Sequence, residues 1–145
     1  MMTDDLYQEV ILEYSGRKDL CRELPSPSYA ERGHNANCGD DLTLLIRLEG
    51  DKVGEASYIG DGCAISKAST AMLLDLILGV SLDEAKEKID IFLKMMKQEE
   101  LSETESEKIG DALLLRSASK LPARVKCATL SWHTMKVIIE RHEGV

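Results

Sequence analysis

Asn37-Cys38-Gly39-Asp40-Asp41-Leu42-Thr43-Leu44-Leu45-Ile46-Arg47-Leu48 carries two signals side by side. Leu42, Leu44, Ile46 and Leu48 alternate with Thr43, Leu45 and Arg47, the period of a strand that lays one face on a core. Immediately ahead of it, a thiol and a carboxylate two residues apart pivot on a glycine. Glu49-Gly50-Asp51-Lys52 reads as a turn, and residues 53–59 read as a second strand pairing back on the first. A third, shorter strand is expected from the residues before Cys38.

Upstream, Thr3 reads as the cap of a first helix, with Asp4 and Asp5 favourable near its positive end. Leu6, Tyr7, Val10, Ile11 and Tyr14 come next at helical spacing, and Ser15-Gly16 stops them. Residues 17–37 lose periodicity; Pro25, Pro27 and Gly33 indicate an irregular surface connection. Cys21 lies in it as an isolated thiol. His34, four residues before Cys38, is an alternative ligand if the loop turns it inward.

Downstream, Gly60-Asp61-Gly62-Cys63 reads as a tight loop, and residues 64–78 as a helix closed by Gly79. Ala64, Ser66, Ala68, Ser69, Thr70 and Ala71 are small, which lets another backbone come close. Ser81-Leu82-Asp83-Glu84 has the capping-box pattern, and Leu82, Ala85, Ile89, Phe92, Leu93 and Met96 mark the buried face of the helix it opens. Glu99, Glu100, Glu103, Glu105 and Glu107 make residues 98–108 a solvated segment. Residues 109–119 read as a short helix around Leu113, Leu114 and Leu115, ended by Leu121-Pro122. A last helix is expected over residues 128–142, burying Ala128, Trp132, Met135, Ile138 and Ile139.

Residues 1–145 are the length of one domain with a real core. Aromatics at 4% make that core aliphatic. A formal charge of −8 disfavours nucleic acid and anionic membrane surfaces, whose affinity comes from basic patches. The first residues lack the pattern of a signal peptide, and the longest apolar stretch, residues 72–80, is broken by Asp75 and too short to span a bilayer. A cytoplasmic protein is expected, in which cysteines are free, catalytic or metal-bound.

Three of the cysteines have a setting that Cys21 lacks. Cys63 and Cys127 stand at expected helix N-termini, where unpaired amides and the macrodipole favour a thiolate. Cys38 sits in a glycine-containing loop entering a strand. Arg124 and Lys126 flank Cys127 and add cations that stabilise a thiolate. With Asp40, the set Cys38, Cys63 and Cys127 offers three thiolates and one carboxylate, a donor set suited to tetrahedral Zn²⁺ and not to hard cations such as Mg²⁺. No CxxC pair is present, so spacing alone leaves two other readings open. One is three unrelated thiols; the other is a cysteine nucleophile without metal, with His133 as base or simply as a surface helix residue.

Asn37-Cys38-Gly39-Asp40 before an alternating strand resembles the first motif of the SufU/IscU family of iron–sulfur cluster assembly proteins. Gly60-Asp61-Gly62-Cys63 with Ala64-Ile65-Ser66-Lys67-Ala68-Ser69 is similar to its second motif, and Gly79-Val80-Ser81-Leu82-Asp83-Glu84-Ala85 to a later stretch of the same family. Val125-Lys126-Cys127-Ala128-Thr129-Leu130 is similar to its third cysteine motif. The resemblance spans about residues 36–140 in the family's order. It implies an α+β fold with a small antiparallel sheet, about three strands, covered by helices. It also implies that Cys38, Cys63 and Cys127 hold metal or sulfur, with Asp40 as fourth ligand.

The family partner is a pyridoxal-phosphate cysteine desulfurase of the SufS type, with downstream Suf assembly components as further partners. Scaffold-type members carry a histidine directly before the third cysteine, where this chain has Lys126, and have a shorter segment between the second and third cysteines. Both features resemble the SufU branch, which implies a zinc-bound sulfur acceptor with Cys38 taking the persulfide sulfur and Arg124 stabilising thiolate or persulfide. The alternative is a scaffold for iron or a labile [2Fe–2S] cluster. Arg116, Lys120, Arg124 and Lys126 form the expected basic rim for the desulfurase.

Overall fold

The computed structural model describes residues 2–36 and 39–144, with the backbone alone for residues 2–5. Asn37 and Cys38, and with them the expectations placed on Cys38, lie outside the described residues. The elements run α1 (Met2–Ser15), β1 (Tyr29–Asn35), β2 (Asp40–Glu49), β3 (Lys52–Asp61), α2 (Ala64–Ile77), α3 (Leu82–Met96), α4 (Glu103–Ile109), a 3-10 helix (Gly110–Lys120) and α5 (Pro122–Glu143). The strands form one antiparallel sheet in the order β1-β2-β3. The expected α+β architecture is present, including the third strand ahead of Cys38.

Alternation sets the sheet. Leu42, Leu44 and Ile46 are buried with Ala56 and Tyr58 in the main core, because residues two apart share a face. Leu45, expected on the open face, is buried too, opposite the buried Ser57. The cover is the irregular segment after α1: Arg47, on the Leu45 face, donates to the Pro25 carbonyl, and Ser28 Oγ accepts the Leu48 N–H at 2.9 Å. A bulge between Arg47 and Leu48 breaks the period there, leaving Leu48 half-buried. On the free edge of β3, the Tyr58 N–H donates to the Leu20 carbonyl at 2.8 Å, which shields an otherwise open strand edge.

Several boundaries differ from the sequence expectation. α1 begins at Met2, so Thr3 lies within the helix and does not precede it. Ile11 is buried on its inner side, whereas Leu6 is 53% exposed. The solvated glutamate-rich segment contains a short helix absent from the sequence expectation: Ser102 and Glu105 form a reciprocal capping box that starts α4. Residues 110–120 form a 3-10 helix, not an α-helix. Ala112, Leu115 and Ala118 are buried in it, and a repeat of three is the period of a 3-10 turn. Leu113 and Leu114 fall between and stay half-buried.

The largest correction concerns Pro122. It starts α5 at the first helical position instead of ending the helix before, since proline there gives up only an N–H that would be unpaired anyway. Cys127 therefore lies inside the second turn of α5, away from the free amides at the N-terminus. The buried stripe of α5 is as expected: Ala128, Trp132, Met135, Ile138 and Ile139 are all buried. α3 likewise buries all six residues of its expected face, behind a Ser81 cap that accepts the Glu84 N–H at 3.1 Å.

α5 packs on β1 and β2, and α2 packs between α5 and α1. Gly33 is where β1 meets α5. A Cβ there would press on Thr134 Oγ1 and stand 3.3 Å from Leu130 Cγ. Gly33→Ala is therefore expected to cost about 1–3 kcal/mol through overpacking, read as a lowered midpoint in urea unfolding. An unchanged midpoint would mean that the two elements separate without cost. No helix among the described residues is long and apolar enough to cross a membrane.

Candidate metal centre

Three elements converge at the mouth of the sheet. Asp40 is the first residue of β2, Cys63 caps α2, and Cys127 comes from α5. One carboxylate oxygen of Asp40 and the Sγ atoms of Cys63 and Cys127 all lie within 4.8 Å of one another. Asp40 is fully buried, Cys127 is buried and Cys63 is exposed. The centre is thus closed on the protein side and open at Cys63.

Local chemistry explains each position. Asp40 and Asp41 are neighbours on a strand and point to opposite faces. Asp41 turns outward and takes a two-pronged bond from Arg32, at 2.8 and 2.7 Å, which lowers its pKa. Asp40 turns inward, and its Oδ1 accepts the Cys63 N–H at 3.1 Å. Cys63 uses its sulfur as the helix cap, accepting the Ser66 N–H at 3.4 Å. Gly62 makes room for the carboxylate, since a Cβ there would stand 2.8 Å from Asp40 Oδ1.

Asp40 Oδ2 is buried and has no hydrogen-bond partner among the described residues. A buried carboxylate oxygen without a donor is costly, and a cation beside it removes that cost. Two sulfurs and one hard oxygen within reach of a single point match the mixed donor set of zinc sites. The donors present therefore fit a thiophilic divalent ion.

α2 and α5 are pinned so that Cys63 and Cys127 stay close. Ser69 Oγ donates to the Ala128 carbonyl at 2.5 Å and accepts the Trp132 Nε1–H at 2.7 Å, all fully buried. Phe92 of α3 stacks on the Trp132 indole with centroids 3.8 Å apart. The small residues of α2 signal a close approach in the sequence. That one of them is a hydrogen-bonded pin depends on the facing indole, which local periodicity does not show. Gly62 and Ser66 stand in the second motif, but neither is a ligand type, so their side-chain chemistry does not mark them as neighbours of Asp40.

The remaining expected residues fall elsewhere. His34 pairs in register with Asp41 and is exposed; paired residues share a face, so it points away from Asp40. His133 is exposed on α5, its pKa lowered by partial burial and then by Lys136 and Lys97. Cys21 sits at the edge of β3 beside Tyr58. Arg124 and Lys126 are exposed and make no ion pair among the described residues. Arg116 and Lys120 line a groove at the end of α3 that also holds Glu99 and Glu100, so half of the expected basic rim faces carboxylates.

Residues 23–128 match the model of the NifU-like N-terminal domain. The chain is 36% identical over 141 residues to the zinc-dependent sulfurtransferase SufU of Bacillus subtilis, covering 97% of this chain and 94% of the relative. It is 35% identical over 136 residues to the iron–sulfur cluster assembly scaffold protein IscU of Streptococcus pyogenes serotype M1, covering 94% of this chain and 84% of the relative. The crystal structure of FiSufU from Fervidobacterium islandicum AW-1 superposes with a TM-score of 0.84 at 33% identity, over 89% of this chain and 93% of that one. Sequence and fold thus agree with these relatives over nearly the whole chain, which belongs to the NifU-like N-terminal domain family of iron–sulfur cluster assembly proteins.

Proposed function

We propose that this protein is a zinc-binding sulfur acceptor that takes sulfur from a cysteine desulfurase during iron–sulfur cluster assembly. The observation that carries the reading is the buried Asp40 Oδ2, without a hydrogen-bond partner among the described residues, set against the sulfurs of Cys63 and Cys127. The zinc-dependent name of the Bacillus subtilis relative supports it. Asp40, Cys63 and Cys127 would hold the ion with Cys38 as the fourth ligand. Bound Zn²⁺ would keep its sulfur ligands deprotonated at neutral pH.

The residues then have distinct work. Asp40 is an acceptor only, anchored through Oδ1 and buried, and it fixes one side of the centre. Cys63 and Cys127 are held by α2 and α5 through the Ser69–Trp132 pin. Cys38 is the acceptor in this reading. Its thiolate attacks the outer sulfur of the persulfide on a pyridoxal-phosphate desulfurase of the SufS type; the persulfide S–S bond breaks, and the electron pair leaves on the desulfurase cysteine. Arg124, exposed one turn before Cys127, supplies a cation for the persulfide anion.

Elemental analysis of the purified protein, paired with desulfurase turnover, tests this. The expected result is about one zinc per chain, as a four-ligand site requires, and cysteine-dependent sulfide release that rises with the protein and is lost in Cys38→Ala. Wild-type turnover with Cys38→Ala would remove the acceptor role from Cys38. A second reading, a scaffold for a labile [2Fe–2S] cluster, is favoured by the scaffold names of relatives at 35% and 34% identity. A stoichiometric, visibly absorbing cluster on anaerobic reconstitution would favour that reading. Lys126 stands against it, because an ammonium is no substitute for an imidazole ligand.

A further inference from the structure

Ser66 is 1% exposed, and its hydroxyl has no hydrogen-bond partner among the described residues. Helical serines and threonines usually donate back to a carbonyl one turn earlier. Thr70, Thr129 and Thr134 of this chain do so, to Ser66, Val125 and Leu130 at 2.7–2.8 Å. Ser66 has no such outlet, because one turn earlier the chain has already left α2 at Gly62. The hydroxyl is instead turned over Gly62: the point a Gly62 Cβ would occupy lies 3.2 Å from Ser66 Oγ and 2.8 Å from Asp40 Oδ1. A buried donor and a buried carboxylate flank one small gap, and Gly62 places no side chain in it.

We propose that Ser66 is a positioning residue that donates its hydroxyl to Asp40 Oδ1 in the metal-loaded centre. Oδ1 then has two protein donors, the Cys63 N–H and the Ser66 O–H, and Oδ2 is left for the ion. The inference rests on the metal-centre reading above. It predicts a split between two properties that a packing role would move together. In the metal-free protein the hydroxyl has no partner among the described residues, so Ser66→Ala leaves the thermal midpoint unchanged or raises it. In the loaded protein it orients a ligand, and loss of such a partner weakens metal binding by roughly 10–100-fold.

The test uses Co²⁺ as the probe, titrated into the full-length metal-free protein and followed through its sulfur-to-metal absorption. Thermal unfolding with and without chelator accompanies the titration. Ser66→Ala is expected to bind Co²⁺ more weakly, with a metal-free midpoint no lower than wild type. In an Asp40→Asn background the same substitution should have no further effect on affinity. Unchanged affinity in Ser66→Ala, additive effects in the double variant, or a lowered metal-free midpoint would each overturn the inference while leaving the centre itself intact. Wild-type protein that binds no Co²⁺ would overturn both.

Discussion

Asp40→Asn is expected to weaken zinc binding by more than about 100-fold, beyond the range for an outer partner, without destabilising the metal-free fold. The carboxylate does two things with two oxygens: Oδ1 takes the Cys63 N–H, and Oδ2 is buried with no protein partner among the described residues. An amide has one acceptor oxygen and an NH₂ that cannot ligate a cation. If that oxygen keeps the bond to Cys63, the metal side presents nitrogen donors. In the metal-free protein the amide puts one buried group without a partner among the described residues in place of another, so the fold keeps near-wild-type stability. Asp40→Ala separates the roles, because it also strands the Cys63 N–H and so costs the fold about 1–3 kcal/mol. Chelator competition for zinc and urea unfolding in chelator measure the two effects. Zinc affinity of Asp40→Asn equal to wild type would exclude Asp40 from the ligand set.

Trp132→Ala is expected to cost about 3–5 kcal/mol of stability, the usual range for a large buried aromatic. Trp132 is surrounded by core on every side: it is 0% solvent-accessible, stacked on Phe92, and bonded through Nε1 to Ser69. Truncation opens a cavity among α2, α3 and α5 and removes one of the two bonds of the Ser69 pin. Trp132→Phe keeps a ring to stack on Phe92 but loses the N–H and part of the indole volume, so it should cost less than the alanine variant, about 1–3 kcal/mol. Urea unfolding of both variants without metal checks the values. A loss below about 1 kcal/mol in Trp132→Ala, under the range for cavity formation, would show that the three helices repack around the gap.

The two substitutions probe features of different legibility. Trp132 is readable as core, because Ala128, Trp132, Met135 and Ile139 recur at helical spacing. Its bond to Ser69 is not, since nothing in the local pattern of either helix says which face meets which. Asp40 is readable as a ligand candidate from its place two residues after a cysteine. Its burial depends on where β2 begins: the strand runs back to Asp40, so the period that buries Leu42 and Leu44 turns Asp40 inward too and leaves Asp41 to Arg32 in solvent.

Helix boundaries separate along the same line. Ser81 announces α3 through a side chain that bonds its own helix, an interaction complete within four residues. Pro122 is ambiguous, since proline both ends helices and begins them, and the packing of the 3-10 helix and α5 chooses the second use.

By itself the sequence determined the period of β2, the buried faces of α3 and α5, the motif order that resembles the SufU/IscU family, and the supply of thiolates and carboxylate. Tertiary structure decided that β2 extends back to Asp40, that Cys127 approaches from within a helix and not from its end, and that Asp40 Oδ2 is left without a donor among the described residues. The reason is physical: caps and periodic faces are satisfied by neighbours in the chain, whereas a metal centre is assembled from residues far apart. Its geometry depends on how a strand register and two packed helices meet.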